Sequence, residues 1–312
     1  METNNISKNL INIILTGATG FLGSHLLGKM LLDGYHVTAV KRNSSDTWRI
    51  KKWLDHPNLT LFDIDKESDP RAMFEVNRID VIVHTATEYG RKDTSISKIL
   101  DVNLILPVRL IEIGIEYGVK CFINTDSFFN KENNGHSNLL NYSLSKKSLM
   151  LWLRHLSKNI RVINIMLEHV YGPADNESKF VEHLIQQIAV IKAPRVALSP
   201  GNQKRDFIYV QDVVEAYTCL IQHGLNNEFS FKEFDVGTGT STRVRDFVEV
   251  VKSISGSTTE LGFGDIPCQS NETVDSKADN SALKELGWKP KTNLEEGVSY
   301  ILKTYGTLKA NS

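Results

Sequence analysis

Cysteine, net charge and long apolar runs are all in short supply in this chain. Three cysteines, Cys121, Cys219 and Cys268, are scattered through 312 residues without metal-ligand spacing. That excludes a disulfide scaffold and predicts reduced thiols in a cytoplasmic protein. The 36 Lys and Arg residues nearly balance 37 Asp and Glu, for a net charge of −1. A nucleic-acid binder acting through bulk charge is thereby excluded, though a local basic pocket is not. No apolar run approaches the roughly 20 residues that cross a bilayer, and Met1-Glu2-Thr3-Asn4-Asn5 is too polar and acidic for a secretory signal. Low-complexity tracts and repeats of solenoid period are missing as well. What remains is a chain long enough to bury a large core in one compact unit of two lobes.

The stretch from Leu10 to Gly23 is the most informative. An apolar run, Ile11 to Leu15, ends in Gly17, Gly20 and Gly23, and a helical pattern follows at once with His25, Leu26, Leu27, Lys29, Met30 and Leu31. A strand, a glycine turn and a helix start set a pyrophosphate on the helix N-terminus, where free N–H groups and the helix dipole favour an anion. Gly17 permits the tight turn, Gly20 lets the backbone approach the phosphates, and Gly23 lets the helix pack closely on the strand. Far downstream stands Tyr142-Ser143-Leu144-Ser145-Lys146. Tyr142 and Lys146 are four apart and share one face of a helix.

With these two motifs the chain resembles the extended short-chain dehydrogenases/reductases, the group of nucleotide-sugar epimerases, dehydratases and reductases. The resemblance covers nearly the whole chain. It includes Thr16-Gly17-Ala18-Thr19-Gly20-Phe21-Leu22-Gly23, the Tyr142/Lys146 pair, His169-Val170-Tyr171-Gly172-Pro173, Arg205-Asp206-Phe207-Ile208-Tyr209-Val210 and Leu286-Gly287-Trp288-Lys289-Pro290, in family order. It implies that Thr19, Phe21 and Leu22 touch the cofactor with the glycines.

The first half alternates apolar strands with helical stretches, which predicts an α/β fold, a Rossmann-type doubly wound parallel sheet. Strands are predicted at Ile11–Leu15, His36–Val40, Leu59–Phe62, Val81–His84, Cys121–Asn124 and Arg161–Ile165, with helices at Gly23–Leu32, Arg71–Phe74, Ile99–Tyr117 and Ser145–Leu156. The stretch Ile99–Tyr117 is apolar nearly all round, so burial on two sides is expected; the second side is either the monomer's own interior or another subunit, and the resemblance implies a homodimer. After Gly172-Pro173 the alternation breaks. The predicted division is a dinucleotide-binding domain, 1–172 plus 210–235, and a smaller C-terminal substrate-binding lobe, 173–209 plus 236–312, over the edge of the sheet where open α/β sheets bind ligands.

The end of the second strand reads the adenosine ribose: a carboxylate there favours NAD, a basic residue NADP. This chain has Val40-Lys41-Arg42-Asn43-Ser44-Ser45, with no carboxylate. Lys41, Arg42 and Ser45 suit a 2′-phosphate, which a guanidinium can bind bidentately, so NADP(H) is expected over NAD(H). The resemblance implies that Asp63 and Ile64 lie at the adenine, though Asp63 also reads as a strand-end turn residue. It further implies that Thr85, Ala86 and Thr87, after His84, pass the phosphates and nicotinamide ribose, and that Asn103 belongs to the cofactor site.

Hydride transfer at a carbinol needs one proton moved at oxygen. A tyrosine serves if its pKa comes down from about 10, and a lysine ammonium one turn away stabilises the phenolate. Tyr142 is the expected acid in reduction, or base in oxidation, with Lys146 tuning it and holding the nicotinamide ribose. The stretch Gly118–Ser127 matches the family strand without gaps, and the resemblance implies that Ser127 is the catalytic hydroxyl; Thr125, two residues earlier, could face the same way and is the alternative. The family's Val-Tyr-Gly after the serine is replaced by Phe128-Phe129-Asn130. Thr125-Asp126 resembles the start of the dehydratase acid pair, but Ser127 stands where Glu would, which disfavours elimination. Arg205 matches the family arginine on the substrate pyrophosphate, with an ion pair to Asp206 or Asp212 as the other reading. Lys179 could assist or be solvated. His169 and Trp288 read as packed residues.

The segments around Asn124–Lys131 and Glu168–Pro173 look most like the CDP-abequose and CDP-paratose synthase branch. That implies NADPH-dependent reduction of the 4-keto group of a nucleotide-linked, CDP-linked 6-deoxy or 3,6-dideoxyhexose in deoxysugar and surface polysaccharide synthesis. The alternatives are a nucleotide-sugar 4-epimerase holding NAD and a catalytically silent dinucleotide sensor; the intact Ser127/Tyr142/Lys146 set argues against the sensor.

Overall fold

The computed structural model describes residues 10–67, 69–91, 94–131, 139–268 and 273–310. Its strands are β1 (Asn12–Thr16), β2 (His36–Lys41), β3 (Leu59–Asp63), β4 (Val81–His84), β5 (Cys121–Ser127), β6 (Arg161–Leu167), β7 (His169–Tyr171), β8 (Arg195–Leu198), β9 (Lys204–Arg205), β10 (Phe207–Tyr209), β11 (Phe231–Val236), β12 (Thr242–Arg243) and β13 (Glu260–Phe263). The helices are α1 (Phe21–Leu32), α2 (Ala72–Val76), α3 (Ile96–Leu100), α4 (Leu106–Glu116), α5 (Leu140–Leu156), α6 (Phe180–Ile185), α7 (Val210–Asn226), α8 (Val244–Ser255), α9 (Ser281–Glu285) and α10 (Leu294–Ala310).

Seven strands form one sheet in the order β11-β6-β5-β4-β1-β2-β3, and every pairing in it is parallel. The doubly wound fold expected from the sequence is therefore present. Helices cover both faces. Ile13, Leu15, Val83 and Ile123 pack with α1 and α7 on one side, and Ile14, Ile82, Phe122 and Val162 pack with α2, α4 and α5 on the other. Burial on both faces is why β1 and β4 read as unbroken apolar runs. Strand order reverses between β1 and β4, and that switch point opens a crevice at the strands' carboxyl ends. A third cluster, with Tyr171, Leu184, Phe207, Phe247 and Ile301, lies outside the sheet.

Three elements differ from expectation. The helix over Ile99–Tyr117 is present but not uniform: a π turn at Asp101–Ile105 joins α3 directly to α4. The turn accommodates Asn103, whose side chain bonds to Glu88 and Ser145. The outward face of α4 carries exposed Arg109, Glu112 and Glu116, so it is not buried on two sides within the monomer. Helix α5 begins at Leu140 rather than Ser145, which places Tyr142 in its first turn. Finally, β11 escapes a search for apolar runs because Lys232, Glu233 and Asp235 interrupt it; charge is the usual protection of an edge strand. Among the described residues no helix is long and apolar enough to cross a membrane.

Candidate active site

The β1–α1 turn is shaped by its glycines. Gly17 has φ +71°, and a Cβ there would lie 2.7 Å from the Ala86 backbone nitrogen. A Cβ on Gly23 would lie 2.1 Å from the Gly17 carbonyl oxygen. Gly20 is different: its Cβ would meet only the Gly17 oxygen, at 3.2 Å, and would otherwise project into open space. Gly20 is also the N-cap of α1, where no side chain caps the helix. The first N–H groups of α1 therefore face a cavity of about 1120 Å³.

Thr19, Phe21 and Leu22 line this cavity with the three glycines, as do Lys41, Arg42, Ser45, Ile64, Thr85, Ala86 and Thr87. Asp63 does not; its carboxylate takes the Lys41 ammonium at 2.9 Å, and that hydrogen bond holds it below the usual Asp range. Half of the basic pair is thus already matched within the protein. Arg49, which sequence reasoning missed, also lines the cavity and donates to the Ala174 carbonyl at 2.8 Å. Nothing in its local pattern, Asp46-Thr47-Trp48-Arg49, signals this position.

Tyr142, Ser127 and Thr125 border the same cavity. The Ser127 side chain sits close enough to the Tyr142 phenol to oppose its rise in pKa. The Thr125 hydroxyl instead meets Tyr217 on α7 at 2.6 Å, on the opposite face of the sheet from α5. That geometry favours Ser127 as the hydroxyl partner of Tyr142. Burial pushes the phenol of Tyr142 well above its ordinary range; Tyr89 and Asp126 add to the shift and Ser127 opposes it. Lys146 is buried and lowered to about 8, with Asp126 opposing, and its ammonium donates to the Thr125 carbonyl at 2.7 Å. Burial with Tyr89 and Asp126 favours the neutral phenol, the form that can donate a proton.

Asn103 lies behind the cavity wall. It is fully buried, accepts from the Glu88 N–H at 2.8 Å, and donates to the Glu88 carbonyl at 2.8 Å and the Ser145 hydroxyl at 3.0 Å. It pins the loop after β4 to α5. That loop carries Tyr89, which stacks on Tyr142 and which the sequence did not single out.

At the far end Lys179 lines the cavity, 3.0 Å from the Asp175 carboxylate. Arg205 is buried in β9 outside the lining, and its guanidinium donates to the carbonyls of Lys204 at 2.7 Å and Thr273 at 2.6 Å. Asp206 accepts backbone N–H groups of Thr238, Gly239 and Ala278, and Asp212 those of Lys291 and Thr292. His169 packs between Phe128 and Phe207, and burial lowers its pKa. Trp288 is core, with its indole N–H on the Asp212 carbonyl at 3.1 Å.

The uncapped helix start, the turn that only glycine permits and the cavity beyond Gly20 fit a dinucleotide pyrophosphate, and the Tyr142–Ser127 pair stands at the end of the same cavity. These are the parts of an NAD(P)-dependent oxidoreductase. Residues 13–237 match the model of the NAD dependent epimerase/dehydratase family, and the chain belongs to that family. It is 35% identical over 300 residues to CDP-abequose synthase of Salmonella typhimurium, covering 93% of this chain and 97% of that protein. The corresponding figure for CDP-abequose synthase of Salmonella muenchen is 33% over 297 residues, 93% of this chain and 96% of that one. Among solved structures, UDP-glucose 4-epimerase of Thermotoga maritima superposes with a TM-score of 0.81 at 24% identity, covering 96% of this chain and 100% of the other.

Proposed function

We propose that the protein reduces the 4-keto group of a CDP-linked 6-deoxy or 3,6-dideoxyhexose with NADPH. The observation that carries this reading is the likeness to two CDP-abequose synthases along 93% of the chain, at a site where burial favours the neutral, proton-donating form of the tyrosine. The bound cofactor supplies hydride to the carbonyl carbon. Tyr142 gives its phenolic proton to the carbonyl oxygen, so that C=O becomes CH–OH. Ser127 donates to the same oxygen and orients it. Lys146 replaces the lost charge balance beside the tyrosine and holds the nicotinamide ribose. Arg42, with Lys41 and Ser45, takes the 2′-phosphate, and Ile64, Thr85, Ala86, Thr87 and Thr125 line the rest of the cofactor's path, with Asp63 behind Lys41 and Asn103 supporting the wall. Segments 173–209 and 236–312 form the substrate lobe, where Lys179 serves the substrate pyrophosphate and Arg205 reaches it only by exchanging its bonds to the Lys204 and Thr273 carbonyls. The active unit is a homodimer. One observation favours NAD and 4-epimerisation instead: Asp63 neutralises Lys41 at the ribose corner.

The test is a coupled measurement. With a CDP-4-keto-6-deoxy or 3,6-dideoxy sugar, NADPH absorbance falls in step with a single 4-hydroxy product. Tyr142→Phe still binds NADPH but turns over roughly 100-fold or more slowly, as expected for a lost general acid. Epimerisation of UDP- or dTDP-hexoses at C4 without net cofactor use, with keto sugars ignored, sinks the proposal.

A further inference from the structure

From the tyrosine outward, the cavity wall is a train of rings. Tyr89 stacks on Tyr142 with centroids 5.1 Å apart, and Phe129 meets the same ring edge-on at 6.3 Å. Phe128 lies 4.1 Å from Phe129, and His169 lies 4.3 Å from Phe128. All of them border the cavity. A hexose with its reacting carbon at Tyr142 and Ser127 must lie against these rings.

The carboxylates that would ordinarily meet sugar hydroxyls are already spent. Asp126 accepts from the Ser127 N–H at 2.8 Å, the Asn130 amide at 2.7 Å and the Asn164 amide at 3.2 Å. Glu168 accepts from the Lys131 ammonium at 2.8 Å and the Ser276 hydroxyl at 2.7 Å. Lys131 is held in turn by Asp235 at 2.8 Å and the Lys277 carbonyl at 3.0 Å. Asp126, Glu168 and Lys131 are each matched by protein partners, so a substrate hydroxyl directed at them loses its water and gains little in return.

We propose that this aromatic wall, with Phe129 at its centre, selects a hexose that has lost ring or side-chain hydroxyls, and that Phe129 is a specificity-determining residue. Methylene and methyl groups pack on aromatic faces, whereas a hydroxyl there is unpaired. An apolar pocket rejects an added hydroxyl by only about 100-fold, so the selectivity is graded. The proposal rests on the site being a nucleotide-sugar site, but not on which reaction follows.

Equilibrium binding separates the two. CDP-glucose, CDP-6-deoxyglucose and CDP-3,6-dideoxyglucose are titrated by calorimetry into the protein saturated with NADP+. Affinity is expected to rise with each missing hydroxyl, by roughly 10- to 100-fold across the series. Phe129→Ser flattens the gradient and Phe129→Leu keeps it. Phe129→Tyr, which retains the ring and adds a hydroxyl, gives the same flattening should the serine variant not fold. Equal affinities in the unaltered protein, feeble binding of all three sugars, or a gradient unmoved by both Phe129→Ser and Phe129→Tyr overturns the proposal. A gradient that persists in a protein that consumes no NADPH with keto sugars leaves the wall standing and removes the reductase reading.

Discussion

At Lys41 and Arg42 two adjacent cations have different fates. Lys41 is matched by Asp63 at 2.9 Å, while Arg42 stays exposed beside the cavity. Arg42 should therefore carry most of the discrimination for a 2′-phosphate. Arg42→Ala is expected to lower the NADPH-over-NADH preference tenfold or more, since one charge-assisted contact contributes about 1.5–3 kcal/mol. Asp63→Asn releases Lys41 and is expected to raise the same preference. Fluorescence titration of both cofactors reads the two variants; equal changes for NADPH and NADH would show that this corner does not sense the phosphate. Thr125 and Ser127 are a second contrast. Both carry hydroxyls on β5, yet Tyr217 takes the first, which leaves the second to stand with Tyr142 in the cavity lining. Spacing alone left that choice open because both lie on a single strand, two residues apart.

Among the elements, the β1–α1 turn shows how one residue type serves separate purposes. A Cβ on Gly23 would collide with the Gly17 backbone at 2.1 Å, whereas one on Gly20 would have only a single neighbour, at 3.2 Å. Gly23→Ala is thus expected to lower the melting temperature by several degrees, about 1–3 kcal/mol of overpacking. Gly20→Ala should melt normally and lose dinucleotide affinity, because its methyl group occupies space where phosphates approach the helix. Thermal melting and cofactor titration on both proteins check the pair; a reversal of the two outcomes would refute this division of roles. The π turn at Asp101–Ile105 is another local departure with a consequence. It brings Asn103 into contact with the Glu88 backbone and Ser145, coupling the loop that carries Tyr89 to the helix that carries Tyr142.

At the scale of the whole molecule, α5 carries a row of exposed apolar side chains near the site. Leu140, Leu144 and Leu151 lie along one side of this helix, with Trp152 beside them, and Leu151 is 72% exposed. Exposed apolar side chains clustered in this way mark an interaction surface, and the proposed homodimer would cover them. Because Tyr142 and Lys146 sit on the inner face of the same helix, association would also brace the proton donor. Sedimentation velocity should find a dimer for the unaltered protein and a monomer for Leu144→Glu/Leu151→Glu. A monomer in both cases would remove the dimer from the account.

Sequence patterns alone determined the parallel sheet, the glycine turn and the Tyr142/Lys146 pair. Each is local: a continuous apolar run, a fixed glycine spacing, or two side chains one helical turn apart. The edge strand β11 stayed hidden because its charges are evident in sequence while its pairing with β6 is not. Tertiary structure decided everything that depends on which distant side chain arrives as a partner. Asp63 reaches Lys41 across neighbouring strands, Tyr217 captures Thr125 from 92 residues away, and Arg205 is drawn to the Thr273 carbonyl behind the lining. Burial raises the pKa of the Tyr142 phenol, although Lys146 stands one helical turn away from it. Helical spacing specifies that neighbour, but desolvation and the partners brought in by folding set the energy of the charge.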